Sequence, residues 1–147
     1  MINECKNIGM RQATLLFLLL ASVWTWSACG KGSSGGGGSQ PNEPTLVVDT
    51  DPTNGAVQAP SIGPFNLKVT ITSAMPQNGV KIEINAKKDD GTGSNPFYST
   101  TINTSAGVNN FNLTGTPSNV QCLVEVKVTS LSKSSNTWSG SYRYSRK

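Results

Sequence analysis

The sequence contains no histidine. This absence removes the side chain that most often acts as a general base near neutral pH, together with the commonest imidazole metal ligand. The remaining residues offer no nucleophile beside a base and no pair of acids at a usable spacing. The sequence therefore favours a non-enzymatic protein, and it predicts neither a metal site nor a cofactor.

Cysteine is scarce, with 3 in the whole chain. Cys5 and Cys29 lie in the amino-terminal segment, so the folded part has Cys122 alone and cannot form an internal disulfide. Cys122 shares its position in a two-residue period with Val124 and Val126, which predicts a buried, unreactive thiol rather than a nucleophile.

The charges are few and dispersed, with 12 Lys and Arg against 8 Asp and Glu. Nucleic-acid-binding proteins usually collect their basic residues on one face or helix, whereas the lysines here alternate with acids along the chain. The sequence predicts no nucleic-acid partner. Only the tail of Arg143, Arg146 and Lys147 suggests an anionic ligand.

The amino terminus has the form of a secretory signal. Lys6 and Arg11 precede an apolar run over residues 13–23, and Met10 could also be the start because a short basic region would remain. A spanning helix needs roughly 20 apolar residues, and this run is shorter. We therefore predict a signal peptide over residues 1–28 rather than a permanent membrane helix.

The residues that end this run, Trp26-Ser27-Ala28-Cys29, resemble the lipobox of bacterial lipoproteins. The small Ser27 and Ala28 fit that motif, although the family usually has an aliphatic residue where Trp26 stands. The resemblance implies that Cys29 receives diacylglycerol on its sulfur and anchors the mature protein to a membrane. Gly30 replaces the aspartate that often marks inner-membrane retention, which favours an outer-membrane lipoprotein in the bacterial cell envelope.

Residues 29–44 form a tether that starts at the lipidated cysteine. The stretch is mostly Gly and Ser and continues through Gln40 to Pro44, so it cannot bury apolar surface. A flexible chain of this composition reaches about 20 Å on average, from about 5–6 Å times the square root of the residue number. A tether of this kind connects an anchor with a folded domain.

Residues 45–147 follow a period of two and predict an all-β domain. Three strands are clear, each with apolar side chains on one face: 65–71, 80–86 and 122–128. Weaker strands are predicted at 45–49, 97–103, 110–113 and 137–144. About seven short strands with turn residues every 8–12 positions are typical of an immunoglobulin-like β-sandwich. The third and sixth strands should pair, which would place Lys81, Glu83 and Lys87 opposite Glu125 and Lys127.

The start of this domain is similar to bacterial Ig-like domains of secreted and surface proteins. The similarity rests on Val47 to Ala56, where a first strand leads into a turn with Pro52 and Asn54-Gly55. It implies an immunoglobulin-like or fibronectin-type scaffold and no particular activity.

Two acidic groups could suggest chemistry, and simpler interpretations are favoured for both. Asp49, Asp51 and Asn54 have a spacing that differs from a calcium-binding hand, and Pro52 interrupts it, so a turn is expected. Asp89 and Asp90 are adjacent and precede Gly91, which predicts the tip of a hairpin.

The last strand has the only candidate ligand platform, formed by Trp138, Tyr142 and Tyr144. Aromatic side chains at a period of two more often pack into a core, and we expect burial of at least Trp138. We therefore predict a membrane-anchored, extracytoplasmic module for adhesion, spacing or assembly. The alternative is a cell-surface carbohydrate-binding module. The expected partners of the protein are the membrane, through the lipid, and a surface protein or polysaccharide.

Overall fold

The computed structural model describes residues 42–93 and 95–147, and this part of the chain is all-β. Its seven strands are β1 (Val48–Asp51), β2 (Phe65–Ile71), β3 (Val80–Lys88), β4 (Tyr98–Thr104), β5 (Val108–Leu113), β6 (Gln121–Ser130) and β7 (Thr137–Ser145). The signal peptide predicted for residues 1–28, Cys29 and the tether up to residue 41 lie outside the described residues.

The strands form two antiparallel sheets, so the predicted fold class, an all-β sandwich of about seven antiparallel strands, is confirmed. The first sheet has the order β1-β2-β5 and the second has the order β4-β3-β6-β7. The third and sixth strands pair as expected, with Glu83 opposite Lys127. Lys87 Nζ also lies 3.0 Å from Glu125 Oε2.

The core lies between the sheets and consists of the faces that the two-residue period predicted. Alternate residues of β3 and β6 are buried, as are Leu67 and Val69 of β2, and Phe65 is half-buried at the edge of the core. The β-branched side chains that dominate these faces suit a pleated, closely packed surface. The largest fully buried side chains are Leu67, Val69, Val80, Ile82, Ile84, Cys122, Val124 and Val128.

The first strand begins three residues later than the predicted Thr45, at Val48, and continues to Asp51, which pairs with Lys68. The later start has a local cause. The backbone N–H of Leu46 donates to the side-chain Oδ1 of Asn136 at 2.9 Å instead of to a neighbouring strand.

One side of the sandwich is closed by the chain that follows β1. Residues 55–61, which we call the cover segment, leave the first sheet and run parallel to β7 of the second. Gly55 N donates to Ser141 O at 2.7 Å, and Gln58 N donates to Arg143 O at 2.8 Å. This crossing places the edge strands β1 and β7 on the same side, so the edge strands β4 and β5 lie together on the opposite side.

Candidate functional site

The aromatic side chains of β7 share one face of the strand, and that face points into the sandwich. The register of β7 places Trp138 opposite Val128, Tyr142 opposite Val124 and Tyr144 opposite Cys122, all on the inner face. Tyr142 and Tyr144 are each 3% exposed. These two members of the candidate platform therefore do not present a ring face to solvent, and stacking on a ligand would require them to move.

Trp138 is half-buried and packs at the margin of the core. Its indole lies over Gly140, so closely that a Cβ on that residue would overlap the ring. Glycine at position 140 thus makes room for the indole on the inner face of β7. The two tyrosines therefore lie in the core and Trp138 at its margin, and the three rings do not form one exposed plane.

A cleft of about 300 Å³ lies beside the two tyrosines. Phe65 forms an apolar wall, with its ring centroid 4.6 Å from that of Tyr144, and the amide side chains of Gln58 and Asn66 are at the mouth. The Tyr144 hydroxyl shares a hydrogen bond of 2.8 Å with Thr116 Oγ1. Burial raises the pKa of Tyr142 and of Tyr144, so both phenols stay neutral. The cleft would suit a small uncharged group.

Cys122 is a fully buried free thiol. Its thiol donates to the backbone oxygen of Val120, with 3.7 Å between Sγ and that oxygen. Burial raises the pKa of this thiol, and the charge of nearby Lys88 only partly opposes the effect. The thiolate that a nucleophile requires is therefore disfavoured.

The acidic candidates hold the local structure together. Asp89 Oδ2 accepts from Arg143 Nε at 2.6 Å, whereas Asp90 Oδ1 accepts from the backbone and hydroxyl of Thr92, so the two carboxylates have different partners. Asn54 Oδ1 accepts from the backbone N–H of Ser141 at 2.8 Å. No cluster of three or more acidic or thiol side chains suited to a metal ion occurs among residues 42–93 and 95–147.

The predicted basic tail is also engaged with the domain. Arg143 pairs with Asp89, and Arg146 Nη1 donates to the backbone oxygen of Thr116 at 3.3 Å. Both interactions fasten β7 to the loops at the end of the sandwich where that strand finishes. Lys147 is exposed, but its backbone N–H donates to Ser61 O at 2.9 Å, which joins the end of the chain to the cover segment.

The outer face of the second sheet is a polar surface with an open depression of about 500 Å³. Two ion pairs cross it, Lys81–Glu83 and Lys87–Glu125, each with an N–O distance of 3.0 Å. Such exposed pairs contribute about 0–1 kcal/mol each, so they make the surface soluble more than they stabilise the fold.

The side formed by β4 and β5 is different, and sequence reasoning did not single it out. No charged residue occurs between Asp90 and Glu125, a stretch that contains both of these edge strands. The signal was present in the spacing of charges along the chain, but only the sheet order shows that the uncharged strands are edges on the same side.

Searches for related proteins found no matching family model, no matching curated protein and no matching solved structure. Within the described part of the chain, no helix is long and apolar enough to cross a membrane. The fold defines the domain as an antiparallel β-sandwich, a class of scaffold that many unrelated functions share.

Proposed function

We propose that this protein is a bacterial envelope lipoprotein, anchored through Cys29, whose sandwich is a non-enzymatic module for adhesion, spacing or assembly. The observation that supports it is that the chain enters the sandwich at one end while long loops lie at the other. The described chain enters beside Asn136, at the end where β7 begins, while the loops of residues 89–93, 95–97 and 114–120 lie at the other end. The point at which the chain enters the domain and these loops are therefore at opposite ends of the sandwich.

The size of the domain makes this arrangement an effective spacer. β7 has 9 residues and runs from one end of the sandwich to the other. At about 3.3 Å per residue the strand spans about 30 Å, which adds to the reach of the tether. The distal loops would stand clear of the membrane surface, where a surface protein or a polysaccharide could reach them.

The entry point is fixed by side-chain hydrogen bonds. Asn136 Nδ2 donates to Glu43 Oε1 and to the backbone oxygen of Pro44, each at 2.9 Å, in addition to the bond from Leu46 N to Oδ1. We call these four residues the entry clamp. The last residues assigned to the tether, Glu43 and Pro44, are thus held by the domain.

Carbohydrate binding is the alternative function, and the cleft beside Tyr142 and Tyr144 is the place that would serve it. Neutral phenols and amide side chains can both donate and accept hydrogen bonds, as recognition of sugar hydroxyls requires. Trp138, however, packs against the core at the end where the chain enters, which favours the scaffold. Retardation of the protein in gels that contain cell-wall polysaccharide, lost in Gln58→Ala, would support the alternative over the scaffold.

The anchoring proposal is tested by Cys29→Ala in the full chain, with Cys5→Ala as the matched control. Cys29→Ala should stop the processing of the precursor or release the protein from membranes, because no thiol remains at the end of the signal peptide to take the lipid. Cys5→Ala should leave detergent-phase partition unchanged. Equal partition of wild type and Cys29→Ala would overturn the proposal, and protease treatment of intact cells would show which face the domain occupies.

A further inference from the structure

The four edges of the two sheets are protected to very different degrees. Exposed edge strands invite pairing with another chain, and proteins usually prevent this with short strands, charges, proline or a covering segment. β1 has only 4 residues and contains Asp49 and Asp51. β7 is hydrogen-bonded to the cover segment, including a bond of 2.8 Å from Arg143 N to Ala56 O. These two edges are therefore blocked.

The β4 edge has none of these protections. Its sequence, Tyr98-Ser-Thr-Thr-Ile-Asn-Thr104, contains no charge and no proline, and among residues 42–93 and 95–147 β4 pairs on one side only, with β3. Tyr98 and Ile102 pack against the core and hold the strand in place. The backbone groups of the free edge are thus already ordered, which lowers the entropic cost of adding another strand.

We propose that β4 pairs with β4 of a second copy of this chain, antiparallel and about a two-fold axis at Thr101. An antiparallel pair of identical strands is self-complementary, as a two-fold interface requires. With Thr101 opposite its own copy, Ser99 meets Asn103 of the second copy. These three side chains are exposed on the outer face, and such polar cross-strand pairs stabilise a sheet.

The distribution of charge favours a second copy as the occupant. Each copy brings the same charges, so contacts between like patches cost free energy wherever basic or acidic residues would meet. The outer faces of β3 and β6 contain Lys81, Glu83, Lys87, Glu125 and Lys127, whereas neither β4 nor β5 has a charged residue. Two copies therefore approach without repulsion at this side of the sandwich.

The pairing rests in part on the proposed anchoring. Copies held on one membrane by tethers are confined to a thin layer, and this confinement raises their effective concentration. On the membrane this confinement shifts the equilibrium further toward the dimer. The strand geometry itself does not depend on the anchor, so the two proposals can fail separately.

Thr101→Cys in the full chain tests the geometry directly, with Asn66→Cys as the matched control. Residues directly opposite across an antiparallel pair have Cβ atoms about 4.5–5.5 Å apart, near enough for a disulfide after small adjustment. Mild oxidation of membranes should give a disulfide-linked dimer of Thr101→Cys, seen on a non-reducing gel. Asn66 is exposed on the central strand β2 and should give no more dimer than wild type.

Charge substitution supplies a second, independent measurement. In detergent extracts the wild-type protein should have the mass of a dimer. Thr101→Lys should have about half that mass, that of a monomer, because two lysines would face each other at the axis. Asn66→Lys should keep the mass of the dimer. A monomeric wild type, or a dimer that persists in Thr101→Lys and is lost in Asn110→Lys on β5, would overturn the pairing at β4.

The Cys29→Ala background separates this proposal from the anchoring. If Thr101→Cys forms no dimer while detergent partition still depends on Cys29, the pairing is wrong and the anchoring stands. If the dimer forms although Cys29→Ala leaves partition unchanged, the pairing stands and the anchoring is wrong.

Discussion

Replacement of Asn136 by alanine should destabilise the domain more than any other change to a polar side chain in the turn between β6 and β7. Asn136 is 8% exposed and makes three side-chain hydrogen bonds in the entry clamp. Alanine leaves the N–H of Leu46 without its acceptor in a buried position, which costs about 1–3 kcal/mol. Each of the other two bonds contributes about 0.5–1.5 kcal/mol. We expect a loss of about 3 kcal/mol in the free energy of unfolding.

Urea denaturation of the mature protein, followed by circular dichroism, measures this loss. Ser135→Ala is the matched control, since Ser135 is the exposed neighbour in the same turn and should change stability by no more than about 0.5 kcal/mol. Hydrogen exchange at the Leu46 amide should accelerate in Asn136→Ala before β1 opens. If Asn136→Ala unfolds within about 0.5 kcal/mol of wild type, the entry clamp does not hold the chain, and the reasoning from its three bonds is refuted.

Three further predictions follow from the core and from β7. Ile82→Ala should cost about 2–4 kcal/mol in urea denaturation, whereas Lys127→Ala on the outer face should cost no more than about 0.5 kcal/mol; equal losses would contradict the parity of the strands. Burial raises the pKa of Tyr142 above its ordinary value of about 10, so its contribution to stability should be lost as pH rises above that value. Tyrosinate absorbance should increase together with unfolding, and less so in Tyr142→Phe; full ionisation in the folded state would count against burial. Gly140→Ala should displace the indole of Trp138, with a red shift of fluorescence and a cost of about 1–3 kcal/mol, and an unchanged spectrum would show that the ring is not packed there.

The alternation of apolar and polar residues was sufficient to predict the two-layer fold. Ile82, Ile84, Val124 and Val126 could be assigned to the core because a side chain two residues along a strand points to the same face. The pairing of the third and sixth strands followed from the fold that this pattern indicated. Burial is thus predictable where the signal repeats every two residues.

The entry clamp could not be predicted in the same way. Asn136 is an isolated polar residue in a Ser- and Asn-rich turn, and its partners Glu43, Pro44 and Leu46 are some 90 residues away in the chain. No local pattern relates these positions, since they meet only because β7 returns to the end where the chain enters. The start of β1 was misplaced for the same reason, because a side chain takes the hydrogen bond that a strand would have made.

For the aromatic residues of the last strand the sequence favoured core packing over a ligand platform; Tyr142 and Tyr144 are buried, and Trp138 is half-buried. The common parity of Trp138, Tyr142 and Tyr144 is real, and the register places all three on the inner face. Parity alone does not say whether a face is covered, and in this sandwich the second sheet faces the first. Asp89, Asn54 and Arg143 were considered as parts of a ligand or metal site from the sequence. In the structure their side chains make hydrogen bonds and an ion pair within the domain.

The course of the cover segment along β7 has a mechanical consequence. If the proposed anchor and a partner at the distal loops pulled on the domain, the force would run along the strands, because the chain enters at one end and those loops lie at the other. Backbone hydrogen bonds between strands lie across that direction, so the bonds of Gly55, Gln58 and Ser61 with β7 would be loaded together, in shear, instead of opening one after another. A domain loaded in this way should resist force better than its modest size and lack of an internal disulfide would suggest.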